Sequence, residues 1–188
     1  DKIELFETAK EEIIPKFMRE SKDIKLAGAG RGTAYHRVLE LCDLTIENSY
    51  DKIRTMIEEL LKQELIDEAE RDAIDVKKIS AFLNSQLSTR MANADKACKL
   101  YREQPFVIGI SASEVDKNYS QNEQILVQGI IDVYFEEDNE LVIADYKTDN
   151  VSDITELVER YRVQLDYYGR ALEQITGKKV KEKIIYSI

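Results

Sequence analysis

In the stretch LVIADYKTDN, residues 141–150, four apolar residues are followed by an acid and a base two positions apart, Asp145 and Lys147. Alternate residues of a strand point to the same face. A carboxylate and an ammonium therefore leave a hydrophobic strand on one side. A second acid falls in with them. The strand-like runs 124–135 and 140–148 are joined by EEDNE, in which Asp138 and Asn139 both tolerate left-handed turn conformations. A two-residue loop there sets Glu137 opposite Glu140 and, in the same register, Asp132 opposite Asp145, with Cβ atoms roughly 5 Å apart. Like charges facing each other destabilise a sheet, and burying them among Ile130 and Ile143 is worse. A shared proton, a basic partner or a divalent cation would relieve the clash. Lys147 supplies one positive charge, and Mg²⁺ would supply the rest, because hard cations favour carboxylate oxygens. On pattern alone, a solvated charge cluster on a half-exposed sheet stands equally with a metal site.

Other chemistry-bearing residues are scattered along the chain. His36, the only histidine, lies in GRGTAYHRVLELC and shares a helix face with Leu39 and Glu40. A lone helical histidine is more often a structural or surface residue than a ligand. Glu103 precedes the first strand in YREQPF, where an isolated acid is ordinarily solvated. Gln164 and Tyr168, four apart on a helix, share a face at the edge of an apolar stripe formed by Leu157, Tyr161, Leu165 and Leu172.

The elements that must position these residues are long, since 188 residues hold only two prolines and seven glycines. Apolar periodicity predicts a helix over 3–19. KLAGAGRGT (25–33) reads as a small-residue loop leading into a helix over 33–46, with Gly32 or Thr33 as N-cap. Helices are expected over 50–70 and 75–101, the latter broken near Ser88. The period then changes to strands over 105–113, 124–135 and 140–148. A helix over 154–176, capped by Asp153 and ended by Gly177, and a strand over 182–188 complete the order. Three strands can form a meander, and the last, reached by a helical crossover, can lie parallel to one of them. The expected fold is a mixed α/β sheet flanked by helices. A single domain over 1–188 is expected, mainly helical over 1–101, with the sheet core over 102–188.

The composition, 43% hydrophobic and 34% charged, supplies a core and excludes disorder as the reading. No apolar run reaches membrane-spanning length, so no membrane partner is expected. The start without Met suggests a fragment or a processed chain. Cys42 and Cys98 read as small buried hydrophobes of a reduced, cytoplasmic protein. The net charge of −10 argues against strong nonspecific nucleic-acid affinity. Lys25, Arg31, Arg37, Arg160, Arg162 and Arg170 are candidates for a local basic groove.

Taken in order, GTAYH ending at His36, REQPF with Glu103, GIID ending at Asp132, DYKT at 145–148 and QLDYY from Gln164 to Tyr168 resemble the PD-(D/E)xK nuclease superfamily, in its RecB and AddA type. The resemblance covers about residues 30–170. It implies a restriction-endonuclease-like core with a four-stranded mixed sheet and an N-terminal helical extension. It also implies metal ligation by His36, Asp132, Asp145 and the Tyr146 backbone carbonyl, with Asp132, Asp145 and Lys147 as the catalytic set. Gln164 and Tyr168 would position DNA or site groups, and Glu103 is a further supporting residue. The implied cofactor is Mg²⁺, with Mn²⁺ as an alternative. The implied activity is DNA cleavage within a helicase–nuclease of double-strand-break repair, fed by an upstream helicase region and paired with an AddB-like second subunit. Two cysteines cannot supply the four-cysteine iron–sulfur cluster of some relatives. GAGRG lacks the lysine of a phosphate loop, so no ATP site is expected.

Overall fold

The computed structural model describes residues 26–115, 117–120, 122–148 and 154–188. The expected helix over 3–19 and the Asp153 cap lie outside them. Among the described residues, five helices come first: α1 (Leu26–Leu41), α2 (Tyr50–Lys62), α3 (Glu68–Ala73), α4 (Val76–Leu83) and α5 (Gln86–Lys96). Strand β1 (Leu100–Ser111), the short α6 (Ala112–Val115), β2 (Gln124–Glu137), β3 (Glu140–Lys147), α7 (Ile154–Thr176) and β4 (Val180–Ser187) follow. The sheet runs in the order β1-β2-β3-β4, antiparallel until β4 joins β3 in parallel. This is the mixed four-stranded sheet flanked by helices, with a helical region ahead of it, that the sequence predicts.

Among the described residues α1 spans Leu26–Leu41, so 26–33 is helix rather than the expected loop, and Gly32 and Thr33 lie within the helix rather than capping it. The glycines tell against a helix by propensity, yet packing overrides them. Ala34, Tyr35, Val38 and Leu39 recur at helical spacing and are all buried. The helix expected over 50–70 breaks after Lys62, and Asp67 starts α3 with a reciprocal capping box to Glu70. The break expected near Ser88 lies at Asn84 and Ser85, where the Ser85 hydroxyl caps α5. Cys42 is buried, but Cys98 is exposed in a left-handed turn after α5, which corrects its reading as a core residue.

Two apolar clusters sandwich the sheet. Helices α1, α2, α4 and α5 pack on Val133, Phe135, Val142, Ala144 and Tyr146. On the other face, α7 packs Leu165, Tyr168, Ala171 and Leu172 against Ile131, Leu141 and Ile143. In β2 this requires a change of face, because Val127 and Ile131 point toward α7 whereas Val133 and Phe135 point toward the helices. All four are odd-numbered, so a regular strand would send them to one side. Strand β1 switches at the matching place. Its ladder with β2 passes from Arg102–Val133 to Gln104–Ile131, and Glu103, between them, has φ 48°. A non-glycine residue held there costs on the order of 1 kcal/mol and persists only where its surroundings impose it.

Candidate active site

The β2–β3 turn is the expected two-residue loop, with Asp138 and Asn139 at φ 55° and 66°. Glu137 pairs with Glu140, and the register continues to Val133–Ala144. The next pair would be Asp132 and Asp145, and there the ladder stops. The Tyr146 N–H donates instead to Asp132 Oδ2 at 2.7 Å. The face switch thus turns the Asp132 carboxylate into a backbone cap on β3, while Asp145 keeps its regular direction.

His36 reaches both sides of this junction from α1. Its Nδ1 lies 3.3 Å from Asp132 Oδ1, and its Nε2 lies 3.0 Å from the Tyr146 carbonyl oxygen. Burial works against a positive charge on the ring, but the hydrogen bond and charge of Asp132 outweigh it and raise the His36 pKa. Glu103 completes the group: ligand atoms of His36, Glu103 and Asp132 all lie within 4.8 Å of one another. Burial, then the Asp132 charge, pushes the Glu103 carboxyl up to about 7. Its left-handed backbone is what aims it here, and that is invisible in the sequence, where Glu103 reads as a solvated acid.

Asp145 stands just outside this trio. It is fully buried, and its Oδ2 ion-pairs with Lys147 Nζ at 2.6 Å. Its Oδ1 has no hydrogen-bond partner among the described residues. Burial pushes the Asp145 carboxyl up to about 6; Lys147 pulls it back and Asp132 adds to the rise. An orphaned buried carboxylate oxygen beside a clustered histidine and two acids is a donor set suited to a hard cation. Adjacent ligands of an octahedral shell with bonds of roughly 2.1 Å stand about 3 Å apart. The 3.0 Å between His36 Nε2 and the Tyr146 oxygen meets that spacing. The residues present therefore fit a divalent ion.

Two motif glycines have packing reasons. A Cβ on Gly129 would stand 2.9 Å from the Phe106 ring, which packs edge-on against Tyr168. A Cβ on Gly32 would approach Thr148 Oγ1 to 3.3 Å, so Gly32 lets α1 come close to the end of β3. Gln164 and Tyr168 do share a face of α7, and the Gln164 amide donates to the Tyr168 hydroxyl. Burial, then the Asp145 and Asp132 charges, raises the pKa of that phenol. The expected basic groove is less available. Arg37 is tied to Glu40, Arg160 to Glu156 and Arg170 to Glu114, and Lys25 lies outside the described residues.

A family model for the PD-(D/E)XK nuclease superfamily matches residues 9–187. The chain belongs to the PD-(D/E)XK nuclease superfamily. Its curated relatives include the A subunits of several ATP-dependent helicase/nucleases. That of Clostridium kluyveri is 46% identical over 176 residues, 92% of this chain and 14% of that protein. The Lachnoclostridium phytofermentans protein is 37% identical over 212 residues, 94% of this chain and 15% of that protein. The Clostridium botulinum protein is 42% identical over 176 residues, 92% of this chain and 13% of that protein. The nuclease sequence thus spans 13–15% of the length of these relatives. Among its described residues, no helix is long and apolar enough to cross a membrane.

One residue that supports the candidate site escapes sequence reasoning. Arg102 Nη1 donates to the carbonyl oxygens of Glu40 and Cys42 at 2.6 and 2.9 Å, closing the C-terminal end of α1. It thereby fastens the helix bearing His36 to the strand bearing Glu103. No motif marks it; only its place before Glu103 hints at it. Arg102→Ala is expected to cost about 2–3 kcal/mol, measured by urea unfolding, and a loss under about 0.5 kcal/mol would contradict the clamp.

Proposed function

We propose that this chain is a divalent-metal-dependent deoxyribonuclease that hydrolyses phosphodiester bonds, using Mg²⁺ or Mn²⁺. The observation that carries the reading is the buried Asp145–Lys147 pair beside the cluster of His36, Asp132, Glu103 and the Tyr146 carbonyl. His36, Asp132, Asp145 and the Tyr146 carbonyl would hold the ion, with Glu103 as a supporting ligand. A bound divalent cation polarises a phosphoryl oxygen and lowers the pKa of a coordinated water. Lys147 holds its protons toward the reacting group, orienting the water or countering charge that develops in the transition state. Asp132 fixes the strand geometry through the Tyr146 N–H. Gln164 and Tyr168, bonded to each other, would position the strand or the site groups. No nucleophilic side chain is required, because His36 has carboxylate and carbonyl partners rather than a serine or cysteine.

The relatives' printed names support a nuclease joined to a helicase, and the motif resemblance carries the wider reading. The chain would be the nuclease part of a helicase–nuclease in double-strand-break repair, working in the cytoplasm beside an AddB-like subunit. The net charge of −10 suits a tethered nuclease that receives single strand at high effective concentration from a helicase region. The test is cleavage of labelled single-stranded DNA by the purified chain. Cleavage in Mg²⁺ that EDTA abolishes is the expected result, and equal cutting in both refutes the mechanism.

A further inference from the structure

We propose that Tyr161 on α7 is a positioning residue that holds the Lys147 ammonium in the site through the face of its ring. The inference rests on the nuclease reading above. Lys147 Nζ stands 4.3 Å from the centroid of the Tyr161 ring, on the side chain's approach to Asp145. The Lys147 side chain is only 14% exposed, so water competes weakly for the ammonium and the ring contact is stronger than on a surface.

The chemistry gives this contact a purpose that the ion pair cannot serve. Lys147 is the last residue of β3, and its flexible four-carbon stem leaves the head poorly fixed by the backbone. Asp145 restrains the head only while its own charge is available, and a cation on that carboxylate competes for the same oxygens. The ring's attraction does not depend on Asp145. A π face is also not a strong acceptor, so the ammonium keeps N–H donors for a substrate oxygen. Helical spacing places Tyr161, Gln164 and Tyr168 on one face of α7. The Gln164 amide and the Tyr168 hydroxyl bond each other, and Tyr161 is the member of that face whose ring meets the lysine. The sequence pattern groups Tyr161 with the apolar stripe. The structure gives it this polar duty instead.

The test compares Tyr161→Phe and Tyr161→Leu with the wild type. The ε-methylene protons of Lys147, followed by NMR, are expected upfield of their free-lysine position in the wild type and the phenylalanine variant, from the ring current. In the leucine variant they return to it. At saturating single-stranded DNA, Tyr161→Leu is expected to lower kcat roughly thirtyfold, the worth of a desolvated ammonium–ring contact. Tyr161→Phe stays within about threefold of wild type, and KM and the Mg²⁺-induced melting shift are unchanged in both. Unshifted Lys147 protons in the wild type, or a leucine variant as fast as wild type, overturns the proposal. If the wild type cuts no DNA, the nuclease reading fails, while the wild-type spectrum still decides the contact, even if the leucine variant does not fold.

Discussion

Asp145→Asn is expected to lower DNA cleavage by about three orders of magnitude or more while the fold survives. The two halves of this result have separate causes. Asp145 is fully buried, and its carboxyl is pushed up to about 6, so at neutral pH its charge is a net cost to folding. Asparagine keeps the volume and removes that charge, and it also ends the repulsion with Asp132. Stability should therefore fall by less than the roughly 3–5 kcal/mol that removing one partner of a buried ion pair ordinarily costs. Cleavage has no such compensation. The neutral amide removes a formal charge from the ligand set and the acid partner of Lys147. Asp145→Ala is the contrasting variant: it leaves a void as well, and should cost roughly 3 kcal/mol. Single-turnover cleavage in Mg²⁺ and urea unfolding read the two effects. An asparagine variant retaining a tenth of the wild-type rate would remove Asp145 from the mechanism.

The place of Asp145 is legible in the sequence because it follows from local rules. The Asp138–Asn139 turn allows one tight hairpin, and that hairpin fixes the register that brings Asp132 near it. Helix α7 is equally legible, with Ile154–Thr176 matching the expected span and Gly177 following it. The failures have nonlocal causes. The helical state of residues 26–33 goes against the propensity of their glycines and depends on what Tyr35, Val38 and Leu39 pack against. The site differs in one respect from the alternation-based picture. Asp132 and Asp145 are not simple ladder partners, because β1 and β2 both change face at Glu103 and Asp132. A two-residue period cannot express that switch. Glu103 therefore joins His36 and Asp132 more closely than Asp145 does. Arg102 acts on the carbonyls of residues about 60 positions away, and nothing local announces that.

Mg²⁺ or Mn²⁺ is expected to raise the melting temperature by about 5–10 °C at pH 7.5, and by far less at pH 5.5. A ligand at a hundred times its Kd stabilises by about 2.7 kcal/mol, and each kcal/mol moves a chain of this size by roughly 2–4 °C. The pH dependence follows from three groups. Burial and Asp132 push Glu103 up to about 7, burial pushes Asp145 up to about 6, and Asp132 raises His36. Each holds a proton in the folded state at a pH where the unfolded chain has lost more of it. Without metal, their contribution to stability is greatest at low pH and is lost as pH rises through about 6 to 7. Glu137, held down to about 2 by Arg90 and Lys181, titrates well below this window and does not oppose the trend. Metal binding requires the same protons to leave, so the metal-dependent gain grows with pH over the same range. Thermal melts at pH 5.5, 6.5 and 7.5, with and without metal, separate the two slopes. Glu103→Gln should flatten the metal-free slope. A metal-free melting temperature that climbs with pH across this window would contradict the assignment.

The hydrogen bond between His36 and Tyr146 spans 110 positions of chain, and Asp145 lies beside Ile185 in the β3–β4 ladder. Closing so long a loop costs entropy that no local contact repays in advance. Helices α1–α5 and the β2–β3 hairpin can each take shape while holding only part of the donor set. The candidate site therefore cannot be complete before α1 and the β2–β3 hairpin have come together across that span. A cation that recognises the finished arrangement acts on unfolding rather than on folding. A growing chain on the ribosome thus carries the acids and the lysine without yet bearing a working blade.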